Sequence, residues 1–132
     1  MLNCLIIAKD KKHFATIVKH SPFEHGVEFV TRPETSVQVG VLDHKAGDII
    51  SPHVHTPHGV PMTDAAEVLY VESGKVNARI YDQYGELVME TVLEHGDILI
   101  QLCGGHAFSF GEDCRLIEVK PGTYERSERK DL

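Results

Sequence analysis

The chain has no tryptophan, no long apolar run and few positive charges for its size. Its 132 residues include 13 lysines and arginines against 20 aspartates and glutamates, a net charge of −7 with the histidines neutral. A protein that follows a phosphate backbone needs a basic face, so this composition argues against nucleic-acid binding. No apolar run approaches the roughly 18 residues of a membrane-spanning helix, so no membrane partner is expected.

Cysteine is also scarce. The three cysteines, Cys4, Cys103 and Cys114, cannot all pair with one another, and none belongs to a Cys-x-x-Cys motif. The apolar stretch over residues 1–8 is short and has no basic segment before it, so we do not expect a signal peptide. Together these features predict a reduced, cytoplasmic protein.

Short alternating or apolar runs separated by turn residues predict an all-β fold, either a sandwich or a barrel. Residues 13–20 fit a short helix or a strand equally well. The length suits one domain, with N-terminal strands in residues 1–35, a core in 47–110 and a tail in 121–132. The predicted strands cover residues 36–42, 48–54, 67–72, 75–81, 87–93, 98–102, 106–110 and 115–120.

Two histidines and a carboxylate suggest a metal site. His53 and His55 stand at positions i and i+2, which on a strand places both imidazoles on the same face. Glu67 would share a face with Leu69 and Val71, and a carboxylate on an apolar face is costly unless it is paired or bound to a metal.

These residues resemble the first motif of the cupin superfamily, Gly-x5-His-x-His-x3–4-Glu-x6-Gly. Gly47, His53, His55, Glu67 and Gly74 reproduce every spacing except the gap between His55 and Glu67, which holds eleven residues. Loop-closure entropy grows slowly with length, so such an insertion is tolerated.

The insertion carries two further candidate ligands, His58 and Asp64, which compete with Glu67 for the third position. The six-residue distance from Glu67 to Gly74 favours Glu67.

A later segment resembles in part the second cupin motif, Gly-x5-Pro-x-Gly-x2-His-x3-Asn. Gly96 and Gly104 match, whereas Leu102 occupies the proline position, His106 arrives one residue early and Phe110 stands near the asparagine position. Consecutive glycines before His106 can supply the tight reversal that the proline normally helps to form. His106 is therefore the predicted fourth ligand, pointing inward.

The resemblance implies a cupin double-stranded β-helix, a jelly-roll barrel, that holds one divalent transition metal (Fe, Mn, Ni, Co or Zn). Four protein ligands on a six-coordinate metal leave two positions for water or substrate. The implied ligands are His53, His55, Glu67 and His106.

The functional expectation is an enzyme that acts on a small oxygenated metabolite, such as a sugar or sugar derivative, as an isomerase or epimerase. The chain resembles phosphomannose-isomerase-like cupins and small cupins encoded beside surface-polysaccharide genes. An Fe(II)-dependent dioxygenase and a non-enzymatic ligand-binding module are the alternatives. Cupins commonly pair through sheet edges, which implies a homodimer.

Glu118 is the predicted catalytic residue, because a late strand can line the barrel mouth, where a general base belongs. Cys103 is either a soft contact to the site or, the preferred interpretation, a buried structural thiol. The other candidate pocket residues are Tyr70, Tyr81, Gln101, Lys120 and Tyr124.

Overall fold

The fold is all-β in a computed structural model that describes residues 2–57, 59, 64–121 and 131–132. These ranges contain ten strands and no helix, and hence no helix able to cross a membrane. The strands are β1 (Cys4–Lys9), β2 (Lys12–Val18), β3 (Gly26–Phe29), β4 (Gly40–Asp43), β5 (Glu67–Ser73), β6 (Lys75–Tyr81), β7 (Leu87–Glu94), β8 (Ile98–Gln101), β9 (Gly105–Ser109) and β10 (Arg115–Val119).

The strands form three antiparallel sheets. The largest has the order β1-β2-β8-β5-β10, the second has the order β7-β6-β9, and β3 pairs with β4 alone. Within the described ranges, no ladder joins these sheets into a closed barrel. Edge strands are therefore left at both sides of the five-stranded and three-stranded sheets.

The core lies between the five-stranded and three-stranded sheets. Leu69, Val71 and Leu99 come from the first sheet, and Val76 and Ile80 from the second, and all five are at most 5% exposed. Strand β6 shows the alternation that produces this arrangement, because its buried residues at 76, 78 and 80 are separated by more exposed ones. The two sheets thus pack face to face around one apolar layer.

Most predicted strands are confirmed to within two residues, and of the ambiguous segment 13–20, residues 13–18 lie in strand β2, with no helix. Two predictions are wrong. The strand expected over 36–42 starts only at Gly40, and residues 48–54 form no strand. Pro52 cannot donate to a ladder, and Ile49 and Val54 are each 87% exposed, so pairing there buries little apolar surface.

Parts of the predicted tail, together with His58 and Tyr124, lie outside the described residues.

Candidate functional site

Three polar side chains converge at one end of the inner face of the five-stranded sheet. Glu67 on β5 lies opposite Gln101 on β8, and Glu118 on β10 lies opposite Leu69. Directly opposed residues on antiparallel strands share a face, and Glu67 shares the face of Leu69 through strand alternation. Glu67, Gln101 and Glu118 therefore face the same side as the core.

His106 approaches from the other sheet. It lies on β9 opposite Ile80, which is fully buried, so its side chain faces inward. Its ring packs on Phe108 with a centroid distance of 4.8 Å. The prediction that His106 points inward beside Phe108 is confirmed, whereas Phe110 follows the strand and is 53% exposed.

The two sheets bring Glu67 and His106 together. Oε2 of Glu67 lies 3.5 Å from Nε2 of His106, and the two side chains are 29% and 24% exposed. This oxygen is buried and has no hydrogen-bond partner among the described residues. A buried carboxylate oxygen without a partner carries a desolvation penalty of about 1–3 kcal/mol or more, so a proton or a cation at this oxygen would stabilise the site.

The surroundings of Glu67 favour its protonated form. Burial raises the pKa of Glu67, the charge of Glu118 and a hydrogen bond with it raise it further, and Lys120 acts in the opposite direction. Burial lowers the pKa of His106, against the opposing charge of Glu118. The site therefore combines a carboxyl that resists ionisation with an imidazole that is readily neutral.

His53 and His55 lie apart from this pair. They belong to the strand-free segment between β4 and β5, both are exposed, and their ring centroids are 5.0 Å apart. Nδ1 of His53 is 2.8 Å from the carbonyl oxygen of Ser51. Among the described residues, no group of three or more His, Cys, Asp or Glu side chains is arranged to hold a metal ion. The structure thus places His53 and His55 in one region and Glu67 and His106 in another.

The alternative third ligand Asp64 already has other partners. Its carboxylate accepts hydrogen bonds from the hydroxyl and backbone nitrogen of Ser36 and from the backbone nitrogen of Ala66. Burial opposes ionisation of Asp64, but these hydrogen bonds bring its pKa below the ordinary value. Asp64 therefore links the loop that contains Ser36 to the segment that leads into β5.

The remaining candidate pocket residues differ in whether they face Glu67 and His106. Tyr70 and Tyr81 directly adjoin inward-facing residues on their strands and so face away from Glu67 and His106. Lys120, which follows β10, is near enough to act on the pKa of Glu67. Sγ of Cys103 donates to the carbonyl oxygen of His13 at 3.4 Å, and burial raises the pKa of its thiol, as suits a structural cysteine.

Sequence reasoning missed the carboxyl pair formed by Glu67 and Glu118. A signal for it was available, since Glu118 stands two residues after Leu116, which packs against the core. The contact between Gln101 and His106 was also missed, and it depends on two strands from different sheets.

Comparisons with protein-family models, with curated proteins and with solved structures found no match to this chain.

Proposed function

We propose that this chain is a metal-binding protein of the cupin kind and an enzyme that acts on a small oxygenated metabolite such as a sugar, with isomerase or epimerase chemistry. The observation that carries the proposal is the buried Oε2 of Glu67, which has no hydrogen-bond partner in the described part of the chain and lies 3.5 Å from Nε2 of His106. Two ligands bound at about 2.0–2.2 Å to one metal lie about 2.8–3.1 Å apart at the right angles of a six-coordinate ion and about 3.3–3.6 Å apart at tetrahedral angles, so the observed separation needs at most a small closure. The spacing and the donor types of this pair therefore fit a shared metal ion.

In this proposal His53 and His55 complete the ligand set when the exposed, strand-free segment that carries them moves onto the Glu67–His106 pair as metal binds. An imidazole-rich set with one carboxylate suits Fe, Mn, Ni, Co or Zn. When bound, such an ion polarises a carbonyl or hydroxyl oxygen of the substrate.

The protein's own contribution to the chemistry is Glu118. It is an exposed residue on the edge strand β10, and its carboxylate is suited to remove a proton from a substrate and return it elsewhere. The neighbouring acidic side chains Glu67 and Glu118 suit a neutral substrate rich in hydroxyl groups better than an anionic one. This preference for neutral, oxygenated ligands supports a sugar or sugar derivative as the substrate class.

The proposed homodimer and the proposed cytoplasmic location rest on separate observations. Strand β10 lies at a sheet edge and exposes Ile117 and Val119 at 47% and 55%, which supports a homodimer that buries this edge. Cys4, Cys103 and Cys114 are all free thiols, which supports a reducing, cytoplasmic location.

Metal binding by single-site variants tests the proposal. Protein purified without an affinity tag is analysed for bound metals, then chelated and titrated with Zn²⁺ and Mn²⁺ by calorimetry. Glu67→Gln, His106→Ala and His53→Ala should each lose more than the roughly 10–100-fold typical of outer-shell changes. His44→Ala, an exposed histidine outside the predicted set, is the matched control and should bind as the unaltered protein does.

Equal losses in the control, or no binding by the unaltered protein, would contradict the proposal. Bound iron with oxygen-dependent turnover would instead identify a dioxygenase, and ligand binding without turnover a non-enzymatic module. In the same preparation, light scattering should give twice the 14.7 kDa chain mass.

A further inference from the structure

The side-chain amide of Gln101 is held in one orientation. Gln101 is 4% exposed, and its Nε2 lies 2.5 Å from the carbonyl oxygen of Cys103 and 3.5 Å from that of Phe14. Carbonyl oxygens accept hydrogen bonds and cannot donate them. The NH₂ end of the amide must therefore face these two carbonyls, because the reverse orientation would place oxygen against oxygen.

This orientation turns Oε1 of Gln101 towards His106. Nδ1 of His106 lies 3.3 Å from Oε1, which can only accept, so Nδ1 must carry a proton to form the hydrogen bond. A neutral imidazole carries one proton, and its other nitrogen is then a lone-pair acceptor. That nitrogen is Nε2, the atom that faces Oε2 of Glu67 at 3.5 Å.

The 3.5 Å spacing between Nε2 of His106 and Oε2 of Glu67 is compatible with this assignment. If Nε2 carried the proton, it would be a donor next to a buried carboxylate oxygen that has no partner among the described residues. Instead the lone pair of Nε2 faces Oε2 of Glu67, and this contact is satisfied by a proton on Glu67 or by a cation between the two atoms.

We infer that Gln101 is a positioning residue that fixes His106 in the Nδ1–H tautomer and presents the lone pair of Nε2 to the space beside Glu67. Its contribution to metal binding rests on the proposed function, whereas the tautomer does not. Outer-shell acceptors that orient a histidine in this way also raise its basicity as a ligand.

The tautomer is measured directly in chelated, ¹⁵N-labelled protein at pH 8, where imidazoles with a pKa of about 6.5 are neutral. Long-range proton–nitrogen NMR should show His106 protonated at Nδ1 and not at Nε2. In Gln101→Leu the acceptor is gone, and the proton should move to Nε2, where it can bond to Glu67. Protonation at Nε2 in the unaltered protein, or an unchanged tautomer in Gln101→Leu, would overturn the inference.

Gln101→Glu separates positioning from packing. As a carboxylic acid it can still donate towards the Cys103 carbonyl and accept from Nδ1 of His106, so it should keep the Nδ1–H tautomer. Zn²⁺ affinity should fall roughly 10–100-fold in Gln101→Leu and by much less in Gln101→Glu. Gln83→Leu, which alters an exposed turn glutamine, is the control and should change neither quantity.

The NMR measurement of the tautomer and the measurement of Zn²⁺ affinity test separate claims. If the unaltered protein binds no metal, the proposed function is wrong, and the tautomer of His106 still decides the inference about Gln101. If Gln101→Leu does not fold, the tautomer of the unaltered protein decides it alone. A changed tautomer with unchanged Zn²⁺ affinity would overturn the positioning role.

Discussion

At the scale of single residues, Asp97 shows how this chain keeps a buried charge ionised. It is 1% exposed, and its carboxylate accepts hydrogen bonds from Lys19 Nζ and from the backbone nitrogens of His20 and Glu94. Burial alone would raise its pKa, but these hydrogen bonds and the Lys19 charge bring the pKa below the ordinary value. The contacts join the end of β2 to the turn between β7 and β8.

Asp97→Asn should lower the free energy of unfolding at pH 7 by about 2–4 kcal/mol, because it leaves the Lys19 ammonium without its buried partner. The pKa of Asp97 is depressed in the folded state, so its stabilisation is fully present above the unfolded value of 3.8 and is lost as the pH falls through the folded value. Urea unfolding between pH 7 and pH 2.5 measures the free energy of unfolding of both proteins. The difference between the variant and the unaltered protein should become smaller below about pH 4.

Asp10→Asn, in an exposed turn, is the control and should change stability by less than about 0.5 kcal/mol. If the difference in free energy of unfolding between Asp97→Asn and the unaltered protein stayed constant down to pH 2.5, the charge of the carboxylate would not be what stabilises the fold.

At the scale of elements, the turn that leads into β9 determines where His106 lies. Gly104 has a φ of +71°, and a Cβ there would lie 2.2 Å from the carbonyl oxygen of Tyr81 and 2.9 Å from the Phe14 ring. Gly105 has no positive φ, and its nearest obstacle, at 2.8 Å, is the end of the Leu132 side chain. Only the first glycine is required by the backbone.

Gly104→Ala should therefore destabilise the protein by at least about 2 kcal/mol, because left-handed backbone costs a non-glycine residue roughly 1–2 kcal/mol before any clash. Relief of the clash with Tyr81 must move the start of β9, so Zn²⁺ affinity should fall with stability. Gly105→Ala is the matched control, and we expect a loss below about 1 kcal/mol. Thermal melts and zinc titrations of both variants check this, and equal effects at the two positions would refute it.

At the scale of the whole molecule, the two packed sheets supply enough apolar burial to fold without metal. Within the described ranges fourteen hydrophobic side chains are buried, and the core draws on both sheets. Small zinc domains lack such a core and unfold when the metal is removed. The proposed metal is therefore expected to add stability to a chain that is already folded.

Chelated protein should keep its β-sheet circular dichroism and a cooperative melt. A metal present at 100 times its Kd adds about 2.7 kcal/mol, so chelation should lower the melting midpoint by on the order of 5–15 °C. Glu67→Gln should melt at the same temperature with and without chelator. Complete unfolding on chelation would make the metal structural and would remove the main support for an enzyme.

Much of the strand pattern could be read from the sequence alone, because alternation and turn chemistry are local properties. The runs that became β5 to β10 alternate or end at glycines, and Glu67 could be placed on the core face from its spacing to Leu69 and Val71. The same reasoning failed over residues 48–54. Alternation cannot reveal whether a neighbouring strand is present to pair with and bury a segment.

The contacts of the candidate site were decided by tertiary structure. Glu67 meets Glu118 because β10 pairs with β5, and it meets His106 because two sheets pack face to face. Gln101 reaches His106 only across that interface. Spacing along the chain determined which residues face inward, but strand register and sheet packing depend on burial among distant segments, and these decided which inward-facing groups touch.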